Sequence, residues 1–405
     1  MKVGLLGFGT VGSGVYEILT SDRLKMQGIE VSAALVREVE KYKSRCGDKV
    51  RFTADAYEIL EDDEIEVIVE VLGGIEKPFE YISYALKRKK SVVTANKAVL
   101  AAHMEELLKL AEENGVSLLY EASVGGGIPL IRTLCQSARA LTYDEVGGIL
   151  NGTSNYILTK MSKEDLSFET ALGQAQEAGF AEADPTDDID GPDVARKISV
   201  LATTVLERHL PLEKIFMSGI RHISETDMSY ADRWDCVVKM VGRAKQRTEG
   251  FYAGVFPAFV PKTSLIAGVN GAFNIGTAKG DFLQEVAFYG EGAGKLATAA
   301  AVVSDILDIR FSEQRLVYTE KIDFSESEVR LFPQIYYLRF HEKNSAEAEK
   351  VFSLCNLGYK KIDEEKSVFL IDGRNAEALE SFLTKMKEEK IKYFMAQTNI
   401  DLDQR

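Results

Sequence analysis

The chain has 405 residues, of which 45% are hydrophobic and 28% charged, with 32 glycines and only 8 prolines. This composition excludes a disordered, collagen-like or disulfide-stapled chain, and the length predicts two or three domains with substantial cores. The 63 acidic against 49 basic residues give a formal net charge of −14, which argues against nucleic acid or an anionic membrane as a general partner.

The cysteines and the apolar runs indicate the compartment. The cysteines are scattered, form no CxxC pair, and are Cys46, Cys135, Cys236 and Cys355. They predict free thiols in a reducing environment rather than a disulfide framework or a zinc site. No apolar run reaches transmembrane length, and the first residues lack the pattern of a signal peptide. We therefore expect a soluble cytoplasmic protein with no membrane partner.

A GxGxxG turn follows the first predicted strand, KVGLLG, and precedes an amphipathic helical pattern. The turn consists of Gly7, Phe8, Gly9, Thr10, Val11 and Gly12. Gly7 and Gly9 permit a tight turn and the close approach of a pyrophosphate, while Gly12 permits close contact between helix and strand. A strand, this turn and a helix in succession are typical of a dinucleotide-binding fold. A purely structural glycine turn is the alternative.

Strand and helix patterns continue to alternate through the next hundred residues. The predicted strands are EVSAALV, EVIVEVLGG, SVVTANK and VSLLYEASVGG, and the predicted helices are PFEYISYALKRKK, with Pro78 at its first position, and EELLKLAEE. This alternation predicts a parallel, doubly wound sheet, in which ligands bind beyond the carboxyl ends of the strands. The strand ends at residues 7–12, 94–97 and 121–127 are therefore candidate binding segments.

The residue that follows the second predicted strand bears on the choice of cofactor. An NAD site usually places a carboxylate there for the ribose 2′-hydroxyl, whereas this chain has Arg37 first, with Lys41 and Lys43 nearby. A guanidinium suits a 2′-phosphate, so the segment favours NADP. Glu38 leaves NAD open, and a solvated loop of mixed charge is the alternative.

The rest of the chain predicts two further domains. The predicted fold is α/β: residues 1–130 form a doubly wound parallel Rossmann domain, residues 131–292 an α+β substrate-binding and dimerisation domain, and residues 330–405 a small βαββαβ domain. The alanine-rich helix at residues 293–310 is expected to return to the first domain.

The densest candidate chemistry lies between residues 182 and 197. The acidic residues of this segment are Glu182, Asp184, Asp187, Asp188, Asp190 and Asp193. Asp193 and Lys197 are spaced to share one face of a helix that Gly191-Pro192 opens, and apolar residues surround Lys197. Carboxylates beside a lysine suit a cationic amino group and a proton donor, although a solvated acidic loop with an ordinary ion pair is the alternative. Lys97, where a strand meets a helix, is the second candidate lysine.

Together these motifs resemble the homoserine dehydrogenase family over residues 1 to 320. The matching segments are GLLGFGTVG, TANK, YEASVGGGIPLI, GGILNGTSNYILTKM, GFAEADPTDDIDGPDVARK and YGEGAG. The resemblance implies NAD(P)H-dependent reduction of L-aspartate 4-semialdehyde to L-homoserine, in threonine, methionine and isoleucine biosynthesis. It also implies a homodimer or homotetramer.

The resemblance also assigns roles to individual residues. Thr10 and Val11, with the glycines of the turn, would hold the cofactor phosphates, Thr94 and Lys97 would line the nicotinamide side, and Gly292 would touch the cofactor. Glu182 and Asp193 would bind the substrate amino group, Asp188 would organise the site, and Lys197 would be the general acid, with Lys97 beside it. Carbonyls of Glu121, Val124, Gly126 and Ile128 would hold a structural sodium ion.

The C-terminal segment departs from the family. Many relatives carry an ACT regulatory domain there with an Asp-x-Pro-Gly loop, whereas this chain has RFHEKNSAEAEKVF, with neither proline nor glycine. The segment order fits a divergent ACT-like module, so regulation and oligomer building both stay open.

Two rival functions are weighed against this one. The first is another NAD(P) oxidoreductase that acts on an amino-acid aldehyde or keto acid. Its neighbour, aspartate-semialdehyde dehydrogenase, needs a cysteine nucleophile, for which neither Cys46 nor Cys135 has a suitable setting. A redox sensor that binds NAD(P) without turnover is disfavoured, because Asp193 and Lys197 are both present.

Overall fold

A computed structural model describes residues 1–46, 49–248, 250–319, 321–340 and 345–400. The chain divides into two compact units. The first contains Met1–Tyr143, Ser199–Leu212 and Phe288–Ser325, and the second contains Asp144–Ile198, Glu213–Ala287 and Glu326–Arg405. The domain limits expected at residues 130, 292 and 330 stay predictions beside this division.

The first unit begins with a regular alternation of strands and helices. Its elements up to residue 137 are β1 (Lys2–Leu6), α1 (Thr10–Leu19), β2 (Glu30–Leu35), α2 (Val39–Cys46), β3 (Arg51–Thr53), α3 (Tyr57–Leu60), β4 (Ile65–Glu70), α4 (Glu76–Lys87), β5 (Ser91–Thr94), α5 (Lys97–Asn114), β6 (Leu118–Leu119) and α6 (Ile131–Ser137). The six strands form one parallel sheet in the order β3-β2-β1-β4-β5-β6. This confirms the predicted doubly wound sheet, whose topology reverses between β1 and β4.

The remaining elements complete the chain. They are β7 (Tyr143–Ile149), α7 (Gly152–Glu164), α8 (Phe168–Glu177), α9 (Thr186–Ile189), α10 (Pro192–Val205), β8 (Phe216–Met217), α11 (Glu225–Arg233), β9 (Cys236–Arg247), β10 (Gly250–Pro261), β11 (Phe273–Gly280), β12 (Val286–Glu291), α12 (Lys295–Phe311), β13 (Val329–Arg330), β14 (Ile335–Phe340), α13 (Ser345–Leu354), β15 (Tyr359–Asp363), β16 (Val368–Asp372), α14 (Ala376–Glu388) and β17 (Tyr393–Thr398).

Helix α12 packs against α1 within the first unit. A methyl group at Gly14 would lie 2.9 Å from the Ala299 methyl, so the two helices approach closely because both positions are small. The core shared by the sheet and these helices includes Leu5, Val15 and Val302, all fully buried. Burial of such side chains is the main source of stability of this unit.

The second unit contains a long mixed sheet in the order β11-β7-β9-β10-β17-β14-β16-β15. The predicted βαββαβ order of the C-terminal segment is confirmed by β14, α13, β15, β16, α14 and β17. β17 also pairs with β10 in parallel, Ala258 opposite Gln397, so the module continues the sheet of the middle segment. Its apolar core includes Phe352, Phe369 and Phe382 together with Phe256 of β10.

Two predicted elements differ in their bounds. Helix α4 begins at Glu76, so Pro78 is its third residue and not its first. The predicted strand over VSLLYEASVGG contains only two ladder residues, Leu118 and Leu119, and then becomes a 3-10 turn at Glu121–Ser123. The carboxylate of Glu121 accepts hydrogen bonds from the first amides of α6, which draws the backbone out of the extended conformation.

Candidate functional site

The turn between β1 and α1 has the backbone that phosphate binding requires. Gly7 has a φ of +111°, and a methyl group at Gly12 would collide with the Gly7 carbonyl oxygen. A methyl group at Gly9 would meet nothing within 4 Å, so this position is open to a ligand. α1 begins at the exposed Thr10, and its amide dipoles favour an anion there. The turn therefore fits a dinucleotide pyrophosphate.

Phe8 and Val11 contribute to this turn from the core side. The Phe8 ring is buried and packs edge-on against Phe52, with 5.2 Å between ring centroids. Val11 is half-buried against the same core. Because the Phe8 ring is buried in the core, only the backbone of Phe8 can contact a phosphate.

The segment after β2 carries the residues that bear on cofactor choice. Arg37 is exposed two residues beyond the end of β2. The Glu38 carboxylate lies 3.9 Å from the Lys41 ammonium on the first turn of α2. Glu38 thus lies close to a lysine of the helix that follows it, while Arg37 lies exposed at the strand end, where a ribose 2′-substituent would bind in this fold.

A buried carboxylate network, which sequence reasoning missed, joins the ends of β4 and β5. Glu70 is fully buried; it accepts the Thr94 hydroxyl at 2.6 Å and the Leu72 amide at 2.7 Å. The Thr94 hydroxyl in turn accepts the Asn96 amide, and Asn96 caps α5, whose first residue is the half-buried Lys97. Glu70 therefore holds both loops at the ligand edge of the sheet. A charged residue ending a buried strand is the signal in the sequence.

Glu70→Gln is expected to remove a pH dependence of stability. Burial raises the pKa of Glu70 to about 7, from 4.5, despite the hydrogen bonds that favour its charged form. At pH values between 4.5 and 7, Glu70 carries a proton in the folded state but not in the unfolded state. The contribution of Glu70 to the free energy of unfolding therefore falls as the pH rises from 4.5 to 7. The free energy of unfolding of Glu70→Gln, relative to that of wild type, should therefore rise by on the order of 2–3 kcal/mol from about pH 5 to about pH 8. Urea unfolding at each pH provides the measurement.

The control for this prediction is Glu66→Gln on the same strand, where the glutamate side chain is 62% exposed. That variant should follow the wild-type pH dependence. A Glu70→Gln profile parallel to wild type would show that Glu70 does not take up a proton in this range.

The turn that follows β6 carries the candidate sodium ligands. Gly125 and Gly126 have φ values of +76° and +56°, so the turn from Glu121 to Ile128 reverses tightly. Backbone carbonyls are hard oxygen donors, the type that suits an alkali or alkaline-earth cation. The donor type therefore fits sodium. A methyl group at Gly126 would come within 2.5 Å of the Gly292 carbonyl oxygen, so Gly292 lies against this turn.

A second buried network holds the same turn in the first unit. The Glu121 amide donates to the Asp305 carboxylate at 3.0 Å, and Arg132 and Tyr318 donate to its other oxygen, each at 2.7 Å. Asp305 is fully buried on α12. One carboxylate therefore connects the turn, α6 and α12.

In the second unit, the predicted carboxylate–lysine pair forms and is mostly buried. The Lys197 ammonium donates to Asp193 at 2.7 Å and to the Leu150 carbonyl at 2.6 Å. The side chains of Lys197 and Asp193 are only 12% and 10% exposed. An ordinary surface ion pair is therefore excluded, and the ammonium is fixed by two acceptors.

Asn151 connects a third predicted residue, Asp188, to the pair of Asp193 and Lys197. Its amide nitrogen donates to Asp188 at 2.7 Å and to Asp193 at 2.9 Å, while its amide oxygen caps α7. Burial raises the pKa of Asp188, against the opposing effect of the Asn151 hydrogen bond. Sequence reasoning missed Asn151, although an asparagine between a strand and a helix is a recognisable N-cap signal.

Glu182 is placed differently from the other candidates. It lies exposed in the loop before α9, and its backbone carbonyl accepts from Gln176. Among the described hydrogen bonds of Asp188, Asp193 and Lys197, none involves the Glu182 carboxylate. Lys97 lies in the other unit and is described with β5 and α5 above.

The described cysteines do not suit nucleophilic catalysis. Cys135, Cys236 and Cys355 are free and buried. Burial raises the pKa of the Cys135 thiol to about 12, so the reactive thiolate is scarce at neutral pH.

Within the described part of the chain, no cluster of three histidine, cysteine or acidic side chains has the arrangement of a metal site. Likewise, none of the helices described is both long and apolar enough to cross a bilayer.

Known proteins share this architecture and sequence. The family model described as homoserine dehydrogenase matches residues 129–307, and the model for the NAD-binding domain of homoserine dehydrogenase matches residues 7–121. A homoserine dehydrogenase of Bacillus subtilis (strain 168) is 35% identical over 401 residues, covering 93% of this chain and 92% of the relative.

Solved structures give the same result. The crystal structure of a homoserine dehydrogenase from Thiobacillus denitrificans has a TM-score of 0.85 and 30% identity, and 98% of each chain is covered. A hyperthermophilic archaeal homoserine dehydrogenase in complex with NADPH has a TM-score of 0.64 and 26% identity, covering 78% of this chain and 99% of the other.

Proposed function

The chain belongs to the homoserine dehydrogenase family of NAD(P)-dependent oxidoreductases, and we propose that it interconverts L-aspartate 4-semialdehyde and L-homoserine with NADP as its preferred cofactor and NAD as the alternative. In a cell the reduction would serve threonine, methionine and isoleucine biosynthesis. The observation that carries the proposal is the buried pair of Lys197 and Asp193, which Asn151 joins to Asp188.

Lys197 is the proposed general acid. When bound, the reduced cofactor supplies a hydride to the aldehyde carbon, and negative charge develops on the aldehyde oxygen. An ammonium fixed by Asp193 and the Leu150 carbonyl stabilises that charge more in the transition state than in the ground state. Lys197 then gives its proton to the oxygen, through water, and no covalent intermediate with the protein is needed.

The acidic residues around Lys197 are proposed to bind the substrate's ammonium group. Asp193 and Glu182 supply the carboxylates, and Asp188 keeps Asn151 and thereby Asp193 in place. A buried carboxylate that already accepts two hydrogen bonds is rigid, which favours one orientation of the substrate.

The first unit is proposed to bind the cofactor. The phosphates would lie at Gly9 and Thr10, and the nicotinamide would lie near Thr94 and Lys97, with Gly292 at its side. The open space at Gly9 and the capped start of α5 support this assignment. Lys97 is the proposed catalytic residue of this unit, where its ammonium would add positive charge beside the nicotinamide.

An absorbance measurement at the nicotinamide band tests the proposed function. Purified protein with L-homoserine and either NADP or NAD, at mildly alkaline pH, should reduce the cofactor only when homoserine is present. Binding of both cofactors without homoserine-dependent reduction would instead favour a sensor or another aldehyde substrate.

Arg37→Ala is expected to raise KM for NADP about ten- to a hundredfold and to leave KM for NAD within about twofold. The reason is loss of the charge-assisted hydrogen bonds that a guanidinium makes to a 2′-phosphate, each worth roughly 1.5–3 kcal/mol. Steady-state kinetics with both cofactors provide the measurement. Arg88→Ala is the control, because the Arg88 guanidinium pairs with Asp63 in the loop before β4, at the edge of the sheet opposite the carboxyl ends of the strands. An equal loss for NAD would exclude Arg37 as the residue that selects the phosphate.

The proposal includes a structural sodium ion held by carbonyls of Glu121, Val124, Gly126 and Ile128.

The proposal also includes assembly into a homodimer or homotetramer. The exposed apolar side chains of Phe273, Phe282 and Leu283 support an assembly surface on the second unit. Free buried cysteines support a reducing cytoplasmic location.

A further inference from the structure

A six-residue segment of the second unit, Ser218–Ile223, lies directly on helix α9; we call it the strap. The Ile220 amide donates to the Ile189 carbonyl at 2.7 Å. A methyl group at Gly219 would collide with the same carbonyl and with the Asp190 backbone. The strap and α9 are therefore in backbone contact, and only glycine fits at residue 219.

Arg221 of the strap holds α9 at both ends. Its guanidinium donates to the two carboxylate oxygens of Asp190 at 2.9 and 2.6 Å, and to the Thr186 hydroxyl at 3.1 Å. Thr186 is the first residue of α9, and Asp190 follows its last. Two contacts from one planar group fix the orientation of a four-residue helix that has few hydrogen bonds of its own.

Helix α9 carries Asp188, and Asp188 accepts a hydrogen bond from Asn151. Asn151 also donates to Asp193, the partner of Lys197. A rotation of α9 would therefore move the Asp188 carboxylate and withdraw one of the two acceptors that orient the Asn151 amide.

The strap is fixed from its other side by the C-terminal βαββαβ module. Arg339 of β14 donates to the His222 carbonyl at 2.7 Å and pairs with the fully buried Asp227 at 2.8 Å. Tyr337, on the same strand, donates to Asp227 at 2.7 Å. The contacts at Asp227 are buried or partly buried, while the contact with the His222 carbonyl is exposed, so Arg339 joins the C-terminal end of the strap to a fixed position on β14.

We propose that Arg221 is a positioning residue for the substrate site, and that the C-terminal module, through Arg339, holds the strap from which it acts. The role rests on the proposed function: Arg221 sets the place of Asp188 and thereby the affinity for a substrate with an α-amino group. The module would then serve substrate binding without a bound effector.

Kinetics of Arg221→Ala, Arg221→Lys and Arg374→Ala test this proposal in the full-length protein. We expect Arg221→Ala to raise KM for L-homoserine about three- to fivefold and to change kcat and KM for NADP less than about 1.5-fold. Arg221→Lys should restore part of the affinity. Arg374→Ala is the matched control, because Arg374 pairs bidentately with Asp372 in the module and should leave both KM values unchanged.

Hydrogen exchange provides a readout that needs no turnover. The amides of Asp188 and Ile189 donate to the Pro185 carbonyl and that of Asp190 to the Thr186 carbonyl, and all three should exchange several-fold faster in Arg221→Ala than in wild type. Unchanged exchange in Arg221→Ala would overturn the proposal. Faster exchange with an unchanged KM for homoserine would also overturn it, and so would an equal rise of KM for homoserine and KM for NADP. If the wild-type protein does not oxidise homoserine, the proposed function fails. Hydrogen exchange then still tests the positioning of α9: faster exchange of its amides in Arg221→Ala would support it, and unchanged exchange would overturn it.

Discussion

Lys197→Ala is expected to lower kcat for homoserine oxidation by about 10²–10⁴-fold and to leave the affinity for NADP largely intact. In this direction the same group accepts the proton that the hydroxyl loses as hydride departs. The Lys197 side chain is 12% exposed and fixed by Asp193 and the Leu150 carbonyl, so bulk water replaces it poorly. Steady-state kinetics and a separate cofactor titration provide the two measurements.

Lys197→Arg separates charge from proton transfer. A guanidinium keeps the positive charge and the contact with Asp193, but it does not release a proton at neutral pH. We expect this variant to remain far below wild type in kcat. The matched control is Lys160→Ala: Lys160 pairs with Glu164 at the same i,i+4 spacing, but on the exposed side of α7. A kcat within tenfold of wild type for Lys197→Ala would remove Lys197 from the mechanism.

Asp305→Ala is expected to lower the free energy of unfolding of the first unit by about 3–5 kcal/mol. Burial raises the pKa of Asp305 to about 6, so at pH 8 the carboxylate is ionised and accepts from Arg132, Tyr318 and the Glu121 amide. Truncation leaves the partly buried Tyr318 hydroxyl and the buried Glu121 amide without this acceptor. Native-state hydrogen exchange of α6 and α12 amides measures the loss in this unit.

Asp308→Ala is the control for this prediction. Asp308 pairs with the same guanidinium of Arg132, at 3.0 Å, but its side chain is 41% exposed. Surface ion pairs contribute little, so we expect a loss below about 1 kcal/mol. Equal losses for the two variants would show that the pairing with Arg132, and not the buried network of Asp305, carries the stability.

Much of the fold was predictable because its determinants are local. The GxGxxG turn, the alternation of buried strands and amphipathic helices, and the βαββαβ order of the C-terminal segment each follow from patterns within consecutive elements of the chain. The pairing of Asp193 with Lys197 was also predictable, since residues four apart on a helix share a face. Their burial was indicated by apolar neighbours such as Val194 and Ile198, both fully buried in the structure.

The remaining features depend on residues far apart in the chain. Asn151 meets Asp188 and Asp193 across 37 and 42 residues, and Glu121 meets Asp305 across 184. No pattern of neighbouring residues specifies such pairs, because each depends on how elements pack after they form. The strap is the extreme case: Arg221, exposed and without any motif, contacts α9 only because the backbone at Gly219 approaches it.

The amino-acid sequence by itself thus determined the family, the parallel sheet whose strand ends are the predicted ligand segments, and the pairing of Asp193 with Lys197. Only the tertiary structure decided which polar groups hold those residues in place, such as Glu70 beneath Thr94 and Asp305 behind Glu121. The physical reason is that a buried polar group must find a partner, and packing determines which partner lies within hydrogen-bond distance.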